Sequence, residues 1–123
     1  MLNPRQQYGQ KSEALAVRHL KKSGYRILEQ NYRTPAGEID IISQDGQTLV
    51  FVEVKARRTD GYGSPKQSVT ARKQKKISMA ALYYLKTRKG MSLRARFDVV
   101  AITTAGQSER IEIVKNAFEL AYE

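Results

Sequence analysis

Gly37-Glu38-Ile39-Asp40-Ile41-Ile42 and, beyond a short polar turn, Leu49-Val50-Phe51-Val52-Glu53-Val54-Lys55 are the runs whose reading decides the fold. They read as two strands joined at Asp45-Gly46, a dipeptide that favours hairpins because it tolerates positive φ. The charges fall where strand cores normally have none. Asp40 lies inside the first apolar run, and Glu53 and Lys55 lie inside the second. Acids and lysines are almost never fully buried without a partner.

Side chains alternate across a strand, so Leu49, Phe51, Glu53 and Lys55 share one face and Val50, Val52 and Val54 the other. On the first strand Glu38, Asp40 and Ile42 share a face. Whether Asp40 meets Glu53 depends on register. A two-residue loop at Asp45-Gly46 opposes Asp40 to Phe51 and leaves Glu53 on the diagonal. A four-residue loop over 45–48 opposes Asp40 to Glu53, whereas a three-residue loop separates the acids onto opposite faces. An even-length loop is expected.

Two carboxylates about 4 Å apart repel by roughly 4 kcal/mol at an effective dielectric near 20. Unaided, one of them would take up a proton. A divalent cation removes the conflict, and hard oxygen ligands suit magnesium or manganese, not zinc. Lys55, on the same face, is placed to hold or activate something anionic. The competing reading is a buried ion pair of Lys55 with Asp40 or Glu53 that only fixes register. It predicts a large loss of stability in Lys55→Ala, which would leave buried carboxylates unpaired.

The pattern resembles the active-site motif of the PD-(D/E)xK nuclease superfamily, the restriction-endonuclease-like fold. There an Asp on one strand and a Glu-x-Lys on the next bind magnesium and activate water against a phosphodiester. The matching residues are Asp40 and Glu53-Val54-Lys55, with Ile39 in place of the proline. The whole chain is similar to the small bacterial YraN family through Gly-Glu-Ile-Asp at 37–40, Phe-Val-Glu-Val-Lys at 51–55 and Arg-Phe-Asp-Val-Val at 96–100. That family is similar in its core to archaeal Holliday-junction resolvases. The resemblance implies one nuclease-like domain over 1–123, α/β in class, with a central mixed sheet flanked by helices. It also implies a homodimer whose two sites would cut two strands.

A chain of 123 residues suits one compact domain. Twenty-two Lys and Arg against twelve Asp and Glu give a formal charge of +10. Such an excess favours a polyanionic partner, nucleic acid being the commonest. An anionic membrane surface is the rival, but no long apolar segment or lipidation signal supports it. Ribosomal proteins are as basic, so charge alone does not separate an enzyme from a structural binder. There are no cysteines, which excludes disulfides, thiolate metal sites and cysteine nucleophiles. Residues 1–9 are polar and lack a signal-peptide core, so a cytoplasmic location is expected.

The spacing predicts a helix over 6–23, stopped by Gly24. Its stripe at i, i+3, i+4 is Gly9, Glu13, Ala16, Val17 and Leu20, which places Glu13 among apolar residues. In the resembled nucleases an acid from the first helix completes the metal cluster, and Glu13 matches it. Otherwise Glu13 is a glutamate at the stripe's edge reaching water. A strand follows over 25–33, where Arg33 could meet phosphate. The basic, glycine-punctuated loop over 56–67 carries Arg57, Arg58, Tyr62 and Lys66. Arginines suit bidentate phosphate contacts and Tyr62 could stack on an unpaired base, so a nucleic-acid lid is expected.

Thr70 reads as the N-cap of a second helix to about Arg88. Arg72, Lys73, Lys75 and Lys76 crowd its first turns, against the preference for acids there, and form a candidate phosphate cradle. Strands over 94–103 and 110–114 and a short last helix over 116–122 complete the reading. Asp98, another acid in an apolar run, is expected to serve Lys55 or an arginine and is not assigned to the metal. The sequence therefore predicts a magnesium- or manganese-dependent endonuclease acting on structured DNA in preference to RNA. Asp40, Glu53 and Glu13 hold the ion, Lys55 assists, and Arg33, Arg57, Arg58, Tyr62, Lys66, Arg72, Lys73 and Lys76 grip the backbone. The alternative is a nuclease-fold module that binds DNA or RNA with weak or no catalysis.

Overall fold

In the computed structural model, which describes residues 2–58, 69–88 and 94–119, the two apolar runs are neighbouring strands at the centre of a five-stranded sheet. The element order is α1 (Pro4–Lys22), β1 (Arg26–Thr34), β2 (Gly37–Asp45), β3 (Thr48–Arg57), α2 (Ala71–Thr87), β4 (Arg94–Ala105) and β5 (Ser108–Phe118). The strands lie in sequence order, with β3 and β4 parallel and the other neighbours antiparallel. Parallel neighbours need a crossover, and α2 lies in the β3–β4 connection. This is the expected α/β arrangement of a mixed sheet flanked by helices, consistent with a restriction-endonuclease-like fold.

The hairpin register runs from Ile41↔Val52 to Asp45↔Thr48. Gln44 opposes Leu49, as a loop over 45–48 requires, and the turn then tightens to Gly46-Gln47. Gly46 has φ +61°, a conformation that a Cβ would oppose.

Both faces of the central strands are covered. Leu49 and Phe51 pack with Ile77, Ala80, Ala81 and Tyr84 of α2, and with Phe97 and Phe118. Val50 and Val52 pack with Ala16 and Leu20 of α1, and with Val100 and Ile102. Phe51 meets Tyr84 edge-on at 6.0 Å and Phe97 at 5.5 Å. Burying one such ring stabilises by about 2–3 kcal/mol.

α1 starts two residues before the expected Gln6 because Asn3 caps it. The Asn3 side chain accepts from the Gln6 backbone, the Gln6 side chain accepts from the Asn3 backbone, and Pro4 occupies the first turn. α2 begins as expected, with Thr70 Oγ1 accepting from Lys73 N at 3.2 Å.

The expected last helix is corrected. Residues 116–118 belong to β5, Glu119 is in no helix, and 120–122 lie outside the described residues. Asn116 has φ +53° and donates its backbone N–H to Asp98 Oδ1 at 3.0 Å, while Phe118 stacks on Phe97 at 4.8 Å between centroids. Burial of that ring pair and satisfaction of a buried acid outweigh the local helix preference of the segment.

Candidate functional site

Strict alternation would put Ile39 and Ile42 on opposite faces, yet both pack in the α2-side cluster. The pattern slips between them, at Asp40. The β2–β3 pairs end at Ile41↔Val52, and the Asp40 carboxylate instead accepts from Val54 N at 2.8 Å. Across β1, Gln30 opposes Ile41 and Tyr32 opposes Ile39, which leaves Asn31 beside Asp40 with φ +54°. Asn tolerates this left-handed conformation better than most residues. The irregularity turns a strand acid into a group at the carboxyl end of β3, where open α/β sheets bind ligands.

Glu53 is 4% exposed. Burial first, then a hydrogen bond with Asp40 and the Asp40 charge, push its carboxyl up to about 8, against the pull of Lys73 and Lys55. Asp40 and Glu53 therefore lie close enough to interact, and the arrangement favours the protonated form of Glu53. Glu13 is half-buried, and its carboxyl is raised by burial and by Asp40 while a hydrogen bond with Asn31 opposes the rise. Lys55 is half-buried and acts on Glu53 as a nearby positive charge.

Glu13 and Asp40 line a cleft of about 380 Å³ between α1 and the sheet, together with Arg5, Tyr8, Gly9 and Ser12. Among the described residues no group of three or more His, Cys, Asp or Glu is arranged to hold an ion by itself. Hard carboxylates beside a cleft with room for several waters are nonetheless the donor set magnesium takes, since it keeps several waters and uses one or two carboxylates. The residues present fit such an ion.

On the other face, Arg33, Lys73 and Lys76 line a cleft of about 430 Å³ with the Thr34–Glu38 turn. Arg33 is exposed and pairs with Glu38 at 3.6 Å. Lys73 stands 3.6 Å from Glu53. Gly37 explains itself here: a Cβ would lie 2.7 Å from the Lys76 carbonyl oxygen. The Gly-Glu-Ile-Asp run thus clamps α2 against the strand that carries Asp40.

Arg57 is half-buried at the end of β3, and the Arg58 guanidinium lies 4.8 Å from the centroid of the Tyr8 ring. Arg72 is exposed. The expected loop begins later than residue 56, since Ala56 and Arg57 belong to β3, and its remainder over 59–67, with Tyr62 and Lys66, lies outside the described residues. Three residues at the site went unread in the sequence: Asn31, Tyr8 and Arg5. Tyr8 carried a signal, since it falls four residues before Ser12 on the face that turns to the sheet. Asn31 carried none, because its role depends on a strand partner.

Asp98 has a different setting. It is 0% exposed and accepts from Tyr25 Oη at 2.9 Å, Arg96 Nε at 3.0 Å and Asn116 N at 3.0 Å. Arg96 also holds Asp45 at 2.8 Å, which keeps the Asp45 carboxyl below its usual range. Tyr25 is raised to about 12, by burial first and then by Asp98. Asp98 serves an arginine, one of the two expected partners.

Comparison with known proteins places these residues in a family. Residues 12–102 match the model of the family described as "Uncharacterised protein family UPF0102". The chain belongs to UPF0102. This is the YraN family that the sequence resembles, and the matched span takes in Glu13, Asp40, Glu53, Lys55 and Lys73. A UPF0102 protein of Desulfosudis oleivorans is 57% identical over 119 residues, covering 97% of this chain and 95% of its own. One of Syntrophus aciditrophicus is 54% identical over 114 residues, covering 93% and 90%. One of Geobacter metallireducens is 52% identical over 114 residues, covering 93% of each. Family membership is consistent with the nuclease-superfamily placement and assigns no activity.

Proposed function

We propose that the chain is a divalent-metal-dependent endonuclease that hydrolyses phosphodiesters in structured, branched DNA. The observation that carries this reading is the pairing of buried Glu53 with half-buried Asp40 at the carboxyl end of β3, where Asp40 opens with Glu13 onto one cleft and Lys73 links Glu53 to a basic one.

Asp40 and Glu53, with Glu13 through water, would hold magnesium or manganese. Bound there, the ion supplies Lewis acidity to a phosphoryl oxygen and lowers the pKa of a water. Lys55 offers positive charge beside Glu53, where charge develops on the phosphoryl oxygens in the transition state. Arg33, Arg57, Arg58, Arg72, Lys73 and Lys76 bind the backbone without reading sequence, so affinity falls steeply with salt. Tyr62 and Lys66 extend that grip. DNA is favoured over RNA because of the likeness to junction resolvases, and a homodimer would bring two sites to two strands. A cytoplasmic location accords with that substrate; among the described residues no helix is long and apolar enough to cross a membrane.

The second reading is a binding module on the same fold. The Lys73–Glu53 contact favours it. Incubation of a labelled four-way junction with magnesium and the wild type, Asp40→Asn and Lys55→Ala separates the two. The nuclease reading predicts strand cleavage by the wild type that both substitutions abolish. Junction binding that survives or tightens in Asp40→Asn, with no cleavage by any protein, assigns the binding module.

A further inference from the structure

Lys73 belongs to two places at once. Its ammonium stands 3.6 Å from Glu53 Oε2, and its side chain lines the basic cleft with Arg33 and Lys76. Glu53's side chain is 5% exposed and that of Lys73 is 40% exposed, so the lysine reaches inward from the cleft mouth. The separation exceeds the 2.7–2.9 Å of a charge-assisted hydrogen bond, so the contact attracts without locking. The cleft is firmly built where turn meets helix, because only a glycine at 37 accommodates the Lys76 carbonyl. Glu38, the acid in its lining, is engaged by Arg33, which leaves the positive charge of Lys73 and Lys76 in excess.

We propose that this cleft is a subsite for a DNA backbone phosphate adjoining the one cleaved, and that Lys73 couples its filling to a cation at Asp40 and Glu53. The inference rests on the nuclease reading of the acid pair. Lys73 cannot serve Glu53 and a phosphate together at full strength. With the acids unloaded, Glu53 holds the ammonium inward and the cleft works with Arg33 and Lys76 alone. A divalent cation on Asp40 and Glu53 cancels their negative charge, which removes the attraction that holds Lys73 inward and frees it for the phosphate. Linkage makes the effect reciprocal: the cation tightens DNA binding by the same factor by which DNA tightens the cation.

The test uses a labelled duplex oligonucleotide at constant ionic strength, with EDTA or with saturating calcium, read by fluorescence anisotropy. Calorimetry gives the calcium affinity of the same proteins. In the wild type, calcium should tighten DNA about tenfold. In Lys73→Met and Lys73→Gln, calcium alone should bind more tightly, and the calcium-induced gain in DNA affinity should fall to about twofold or less. Lys76→Gln should weaken DNA similarly in both conditions and keep the gain. A full gain in both Lys73 variants overturns the coupling, and so does a wild type that binds both ligands independently. Undiminished DNA affinity in Lys76→Gln overturns the subsite. A wild type that binds neither calcium nor DNA instead removes the nuclease reading itself.

Discussion

Asp98 on β4 and Glu53 on β3 are both acids set in apolar runs, and both are almost wholly buried. Asp98 takes hydrogen bonds from a tyrosine, an arginine and a backbone N–H, all within 3.0 Å. Glu53 donates its own hydrogen bond to another acid, Asp40, and faces a lysine at 3.6 Å. One cluster is electrostatically closed and belongs to the architecture: it ties β4 to β5, to Tyr25 after α1, and through Arg96 to Asp45 at the hairpin end of β2. The other is left short of positive charge beside a cleft. Burial alone does not distinguish a structural acid from a functional one; the completeness of its partners does.

The comparison is broken most forcefully at Arg96. Arg96→Met leaves Asp98 charged and buried and Asp45 without its closest partner, so urea denaturation should register a loss of about 3–5 kcal/mol. A loss below about 1 kcal/mol would mean that the closed cluster is not structural. At the other pole, Asp40→Asn or Glu53→Gln should not destabilise the cation-free protein. Glu53→Gln removes a buried charge that repels Asp40, so at pH 8 it should raise stability, on the order of 1–3 kcal/mol.

The pH dependence sharpens the same contrast. The folded-state carboxyl of Glu53 sits at about 8, above its unfolded value of 4.5, so the native state holds a proton that the unfolded chain has released. The stabilisation is present below the unfolded value and is lost as pH rises through the folded one. Thermal melts in EDTA should therefore show Tm falling from pH 5 to pH 8, and Glu53→Gln should flatten most of that slope. Glu13, raised in the same direction, accounts for a remainder. Asp45, held low by Arg96, works oppositely and loses its contribution only as pH falls below the ordinary carboxylate range.

Much of this was legible in sequence, and the exceptions have physical causes. The apolar runs over 37–42 and 49–55 and the Asp45-Gly46 turn between them located the central strands, and Thr70 located the start of α2. The slip at Asp40 was not legible, because it depends on a carboxylate replacing a ladder hydrogen bond to Val54. Nor was the choice of Arg96 for Asp98, since Tyr25 and Asn116 join that cluster from distant parts of the chain. The last helix was misread for a related reason: residues 116–118 have no local strand signature, and burial of Phe118 against Phe97 decides their conformation. The Asn3-Pro4 cap was readable and passed over.

Smaller effects test the frame that joins the two regions. Gly37→Ala forces a Cβ against the Lys76 carbonyl, and overpacking of this kind costs about 1–3 kcal/mol in chemical denaturation. It should also weaken DNA binding by displacing the start of α2. Arg72→Gln, at an exposed position, should leave stability within about 0.5 kcal/mol and reduce the salt dependence of DNA binding by roughly one ion.

The central claim is that the Asp40–Glu53 pair is reserved for a cation. Calorimetric titration of magnesium and manganese into the wild type and Glu53→Gln tests it directly. The account predicts saturable binding by the wild type, with protons released at pH 7 as Glu53 ionises, and no binding by the variant. Identical titrations for the two proteins, or no heat from either, would contradict it and leave the acid pair as architecture.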